Sequence, residues 1–262
     1  MLSNELARLA LGRFLVVALV VCRVSGFVLV SPFPGSNFPR PQRVGLVLAV
    51  AWIAAFNAKQ PDELLRVDLT LVLAAWSELA IGILIGFVFR ILLSAAEVAG
   101  EVVSHATGLG SPSLFDPSLG GEETPISRAF TLLATLLVLT SGAHRIALGY
   151  LIGSFSELPV GVTIHVASAA PDLALLVGKS ISVGVRIGLP VLAVCFLIQA
   201  GLALVARIAP SLQVFNMGFA ILIGAGLFVF GSAATQMAGW FLDHLGALGN
   251  ELDHILLQVA GD

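Results

Sequence analysis

Long apolar runs separated by short polar breaks make up most of the chain, a pattern that predicts helices of membrane-crossing type. The first run covers 14–30 and has Arg23 in its middle. It gives way to 31–41, where Pro32, Pro34, Pro39 and Pro41 exclude a continuing helix and predict an extended connector. The next run, 44–56, would span only about 20 Å as a helix, short of a hydrocarbon core about 30 Å thick. It either extends into its polar flanks or does not cross. Residues 69–93 are long enough to cross, with Glu78 and Arg90 inside the run. Residues 129–152 form another, broken by Ser141, Gly142, His144 and Arg145, and Leu158, Pro159 and Gly161 predict a turn after it. Residues 173–206 suffice for one very long helix or two joined ones, with a kink expected at Pro190. A polar interruption at 207–216 precedes the apolar run 219–240.

Two stretches depart from this pattern. Residues 94–128 carry Glu97, Glu101, Asp116, Glu122 and Glu123, together with Pro112, Pro117, Pro125 and several glycines. The prolines and glycines predict irregular loop over 107–125. At about 18 residues it exceeds the common connection of about 4–6, and such loops are either functional or disordered. The second is 240–259, where Phe241, Leu245, Leu248, Leu252, Ile255 and Val259 recur at helical spacing between Asp243, Asn250, Asp253 and Gln258. That is an amphipathic helix seeking a partner or a membrane surface, and its acidic polar face favours a protein partner.

Inside the runs, a few residues should decide how the helices pack. An ionisable group at membrane depth costs at least about 2.5–3.5 kcal/mol, so Glu78, Lys179 and Arg186 should face protein or water. Lys179 and Arg186 lie two turns apart on one face and are the candidate partners of Glu78. Gly82 with Gly86, and Gly184 with Gly188, have the small-xxx-small spacing that lets helices approach closely.

Composition narrows the class. With 58% hydrophobic and 11% charged residues, the chain has more apolar surface than one soluble core could hide. Its net charge of −3 gives no reason to expect a nucleic-acid or anionic-lipid partner. Cys22 and Cys195 read as small core residues, and the single histidines lack ligand spacing, so neither a disulfide nor a metal is expected. The first run lacks a cleavage site and reads as retained helix. Lys and Arg in the loops show no bias that would orient the chain, which suggests that many apolar helices pack on other helices rather than on lipid. No Gly-x-Ser-Gly, His-Glu-x-x-His or Gly-Lys-Ser/Thr pattern is present. Glu97 and Glu101 share a helical face as paired carboxylates do, but with no third group near them a hydrated helix end is the better reading. Neither catalysis nor a cofactor is expected.

Taken together in order, Arg23, Pro32-Phe33 and Pro39, Glu78-Leu-Ala-Ile-Gly82, Ala99-Gly-Glu101, Gly108, Phe115-Asp-Pro117, Gly142-Ala-His144, Ser154-Phe155, Leu158-Pro159, Leu189-Pro190 and Ala209-Pro-Ser-Leu-Gln-Val-Phe-Asn216 resemble the FliR family. These are flagellar type III export-gate subunits, whose injectisome counterparts are called SctT. The likeness runs from about Arg13 to Trp240. One departure is the purely apolar stretch 217–223, where family members often have a Pro and a basic residue.

The resemblance implies an all-α integral membrane protein of antiparallel helical hairpins, with about six apolar segments and the amphipathic tail. It would form a single domain over 1–262, with N-terminal helices at 13–93, the central polar region at 94–128, C-terminal helices at 129–240 and the tail at 241–262. It implies a non-enzymatic subunit of the inner-membrane gate at the flagellar basal body, assembled with FliP and FliQ and working with FlhA and FlhB. Unfolded exported proteins would be the passengers. The loop that helps plug the closed pore maps onto 108–123, including Gly108, Gly110, Leu114, Phe115, Asp116, Pro117, Gly120 and Gly121. An injectisome gate subunit, a small-solute transporter and a poreless scaffold are the alternatives.

Overall fold

A computed structural model describes residues 2–32, 39–58, 69–108, 124–161, 166–208 and 214–260. Their regular structure is helical throughout: α1 (Leu2–Val30), α2 (Arg40–Asn57), α3 (Leu69–Thr107), α4 (Pro125–Ser141), α5 (Ala143–Glu157), a 3-10 turn (Val166–Ala169), α6 (Ala170–Ile208), α7 (Val214–Gly246) and α8 (Leu248–Ala260). The chain is an all-α membrane protein. Among the described residues, Leu11–Val30, Leu69–Thr107, Ala170–Ile208 and Gly218–Val259 are long and apolar enough to cross a bilayer, and α4 with α5 makes a fifth if the broken pair is counted as one. The sequence led us to expect about six. The difference lies in α2, which reaches the needed length only by taking in Arg40 and Arg43.

Local chemistry sets where the helices stop. Pro39 precedes α2, and Pro41 stands in its first turn, where a missing N–H costs nothing. The positive-φ residues among those described are Gly108, Gly142 and Gly161, at 81°, 77° and 91°. They mark the end of α3, the break between α4 and α5, and the turn after α5, which are left-handed positions open to glycine without a Cβ penalty. At Pro190 the long run stays a single helix, α6. The tail divides differently from the sequence reading, with α7 running on to Gly246 and α8 beginning at Leu248.

The chain forms two compact units, each built from separated segments. Unit 1 comprises Met1–Ile91, Gly142–Leu176 and Ala247–Asp262, and unit 2 comprises Leu92–Ser141 and Val177–Gly246. In unit 1, Leu19, Val24, Ile81, Ile85, Leu151, Phe155, Leu252 and Ile255 form a fully buried core. The apolar stripe of α8 is therefore covered by this chain itself, where the sequence suggested a separate protein partner. Polar contacts fasten α8 as well: Tyr150 donates to Asp253 at 2.9 Å, and His254 Nδ1 lies 3.0 Å from Asp172.

In unit 2, α6 and α7 run antiparallel. A Cβ on Gly218 would meet Leu202, and one on Gly226 would meet Thr107, Val191 and Cys195. The α3 segment of this unit lies along α6, with Ala95, Val98 and Val102 against Gly184 and Gly188.

Candidate functional site

The most enclosed polar group in unit 1 starts from a glycine contact. Where α1 and α3 cross, a Cβ on Gly82 would collide with the Arg23 carbonyl, one on Gly26 with the Leu79 carbonyl, and one on Gly86 would stand 2.8 Å from the Phe27 carbonyl. Only glycine lets the two backbones come this close. The approach sets Arg23 of α1 beside Glu78 of α3, and the exposure of both side chains is 0%.

Arg23 Nε donates to Glu78 Oε2 at 2.6 Å and Nη2 donates to Oε1 at 3.1 Å, a two-pronged pair. The other donors turn toward the end of α5. Nη1 donates to Ser154 Oγ at 3.0 Å and Nη2 to the Leu158 carbonyl at 3.1 Å, while the guanidinium carbon sits 4.2 Å from the Phe155 ring centre. Glu78 Oε1 also accepts the Gly161 N–H at 2.9 Å, so the turn after α5 closes the network from the other side. A buried charge is tolerated only when paired and hydrogen-bonded, and both charges meet that condition. The arrangement locks α1, α3 and the end of α5 together. It presents no nucleophile or open coordination position.

This corrects the expected pairing. Glu78 is neutralised by Arg23, where the sequence offered Lys179 or Arg186. Those two residues lie on the exposed side of α6, where the Arg186 guanidinium stacks 4.9 Å from the Trp240 ring centre. The signal for the true partner was present in the sequence, since Arg23 is the one charge in its run and Gly26 stands one turn beyond it.

Unit 2 holds the described residues that flank 109–123. On one side, Gln199 Nε2 donates to the Ala106 carbonyl at 3.0 Å, and the Gly108 N–H donates to the His105 carbonyl at 3.2 Å. On the other, Thr124 Oγ1 accepts the Ser127 N–H at 3.2 Å and caps α4. Ser127 then docks on α3 beside Gly100, whose Cβ would lie 2.6 Å from the Ser127 Cα. Gly110, Leu114, Phe115, Asp116, Pro117, Gly120 and Gly121 lie outside the described residues. Glu97, Glu101 and His105 follow each other at one-turn spacing along α3, Glu101 and His105 being 3.6 Å apart and largely exposed.

Comparison with known proteins places this architecture. Residues 14–248 match the model of the family described as bacterial export proteins, family 1. The chain is 27% identical to the flagellar biosynthetic protein FliR of Caulobacter vibrioides, over 85% of this chain and 90% of that one. It is 30% identical to FliR of Aquifex aeolicus over 79% and 80%, and 31% identical to the Yop proteins translocation protein T of Yersinia pestis over 68% and 69%. With nine-tenths of its length inside the family match, the chain belongs to the bacterial export protein family 1, the FliR family.

Proposed function

We propose that this chain is a non-enzymatic subunit of a type III protein-export gate in the bacterial inner membrane, assembled with FliP and FliQ and serving unfolded flagellar proteins as they leave the cytoplasm. FlhA and FlhB are its further export partners in this reading. The observation that carries it is the family match over 14–248, with relatives named both for flagellar biosynthesis and for Yop translocation. The test is export itself. A strain lacking the chain should fail to secrete its filament protein while still synthesising it, and the chain produced alone should be unstable without FliP and FliQ. Normal secretion in that strain, or a chain stable in isolation, would sink the reading. The Yersinia relative supports an injectisome gate as the second reading, separated by which secreted proteins are lost.

Within this role, residues 108–123 obstruct the conduit when no substrate is moving. What supports this is the anchoring of both loop ends on α3 and α4, since a closing element must change path while its attachments stay fixed. Deleting 111–120 should leave the assembled complex intact but leaky to ions. An assembled, tight and export-competent deletion would reduce the loop to a connector.

A further inference from the structure

Unit 2 exposes an apolar surface of defined length on α6 and α7. Between Arg186 and Arg207, α6 carries no charge, and α7 carries none before Asp243. At 1.5 Å per residue the interval from Arg186 to Arg207 is about 31 Å, which matches the hydrocarbon thickness of a bilayer. The antiparallel register extends this interval across both helices, because Leu202 meets Gly218 near one end and Arg186 stacks on Trp240 at the other. Only 11% of the most apolar stretch within Ala170–Ile208 is buried, and the same share of that within Gly218–Val259, against 67% within Leu69–Thr107. Leu189, Phe196, Leu197 and Phe228 stand out from it, between 52% and 77% exposed.

The boundary at Arg186 has the chemistry of a head-group site. Trp is an amphipathic ring suited to the membrane interface, and here it supports a guanidinium through its face. Stacking uses the plane of the guanidinium and leaves its edge of N–H donors free to meet a phosphate in a two-pronged fashion. No carboxylate among the described residues pairs with Arg186. A protein helix covering this band would have to bring an anion to Arg186 at the edge of an otherwise apolar contact, whereas a phospholipid supplies both parts.

We propose that α6 and α7 face the acyl chains of the bilayer between Arg186 and Arg207, and that Arg186, held over Trp240, binds the phosphate of a phospholipid head group. The full-length chain would be studied with Trp52 and Trp76 replaced by Phe, co-produced with its export partners and placed in vesicles containing brominated phospholipids. Trp240 should be quenched more by bromines near the head group than by bromines deep in the acyl chains. A Leu197→Trp reporter in a Trp240→Phe background should show the reverse. Arg186→Gln should lower the preference of Trp240 for brominated phosphatidylglycerol over phosphatidylcholine about fivefold, the effect of one basic residue at an anionic surface. Equal quenching at both depths overturns the band, and an unchanged lipid preference in Arg186→Gln overturns the clamp. Relief of quenching by inorganic phosphate would make it a soluble-anion site and overturn the lipid assignment. A photo-crosslinker at Leu197 in living cells gives an independent reading: lipid adducts support the proposal, and exclusively protein adducts mean that a partner covers the surface. Quenching and adduct identity are read without measuring export, so their failure is distinct from failure of the gate reading.

Discussion

An arginine with no exposed surface has to satisfy five N–H donors inside the protein, and Arg23 places four of them on Glu78, Ser154 and the Leu158 carbonyl. Removing one partner of such a pair leaves the other charge buried and uncompensated, which costs about 3–5 kcal/mol. We therefore expect Glu78→Gln to lower the thermal stability of the detergent-purified complex and its yield from membranes. Glu97→Gln, on the half-exposed face of α3, should leave both near wild type. Replacing the pair together, Arg23→Met with Glu78→Leu, should recover much of the loss, since apolar groups of similar volume need no partners. Equal tolerance of Glu78→Gln and Glu97→Gln would remove Glu78 from this role. Sequence alone showed that Glu78 needed company, because its cost at membrane depth does not depend on the fold. It did not show which cation answered. The pair is separated by 55 residues, and Lys179 and Arg186 satisfied the same charge argument. What chose Arg23 was backbone proximity, and that follows from Gly26 and Gly82 meeting across two helices.

Glycine spacing along a helix is legible in sequence, but what the glycine meets is not. Gly82/Gly86, Gly184/Gly188 and Gly149/Gly153 share one spacing. The first pair abuts the α1 backbone and the second abuts α3, whereas nothing lies within 4 Å of a Cβ on Gly149 or Gly153. Opposite outcomes follow for the same substitution. Gly82→Ala would force α1 and α3 apart and should cost about 1–3 kcal/mol, as overpacking does. Gly153→Ala should be neutral or stabilise by roughly 0.5–1 kcal/mol, because alanine loses less backbone entropy in a helix. Melting temperatures of the two variants decide the matter, and a stable Gly82→Ala would show that the crossing is not tight. Helix ends were the most legible elements. α3 stops at Thr107 and α4 starts at Pro125, at the bounds set by glycine and proline in the sequence, and the polar break near Gly142 separates α4 from α5. In both places glycine or proline dictates the backbone locally. Pro190 does not divide its run: it lies inside the single helix α6, which α3 holds on one side through Gly184 and Gly188.

For the molecule as a whole, the division into two units was hidden from sequence because neither unit is a contiguous stretch. Unit 1 draws its last helix from the C-terminal end and its first from the N-terminal end. A ribosome releases these pieces in order, so a nascent chain that has already produced α1 to α7 still holds an unfinished first unit. Its residues Tyr150 and Asp172, which meet Asp253 and His254, wait for α8. Unit 1 therefore cannot close until α8 has been made. A stop codon after Gly246 removes Leu248, Leu252 and Ile255, each worth about 1.5–3 kcal/mol on burial, and the shortened chain should be cleared by membrane proteases. Pulse-chase labelling tests this: a truncated chain as long-lived as the complete one would show that unit 1 closes without its final helix.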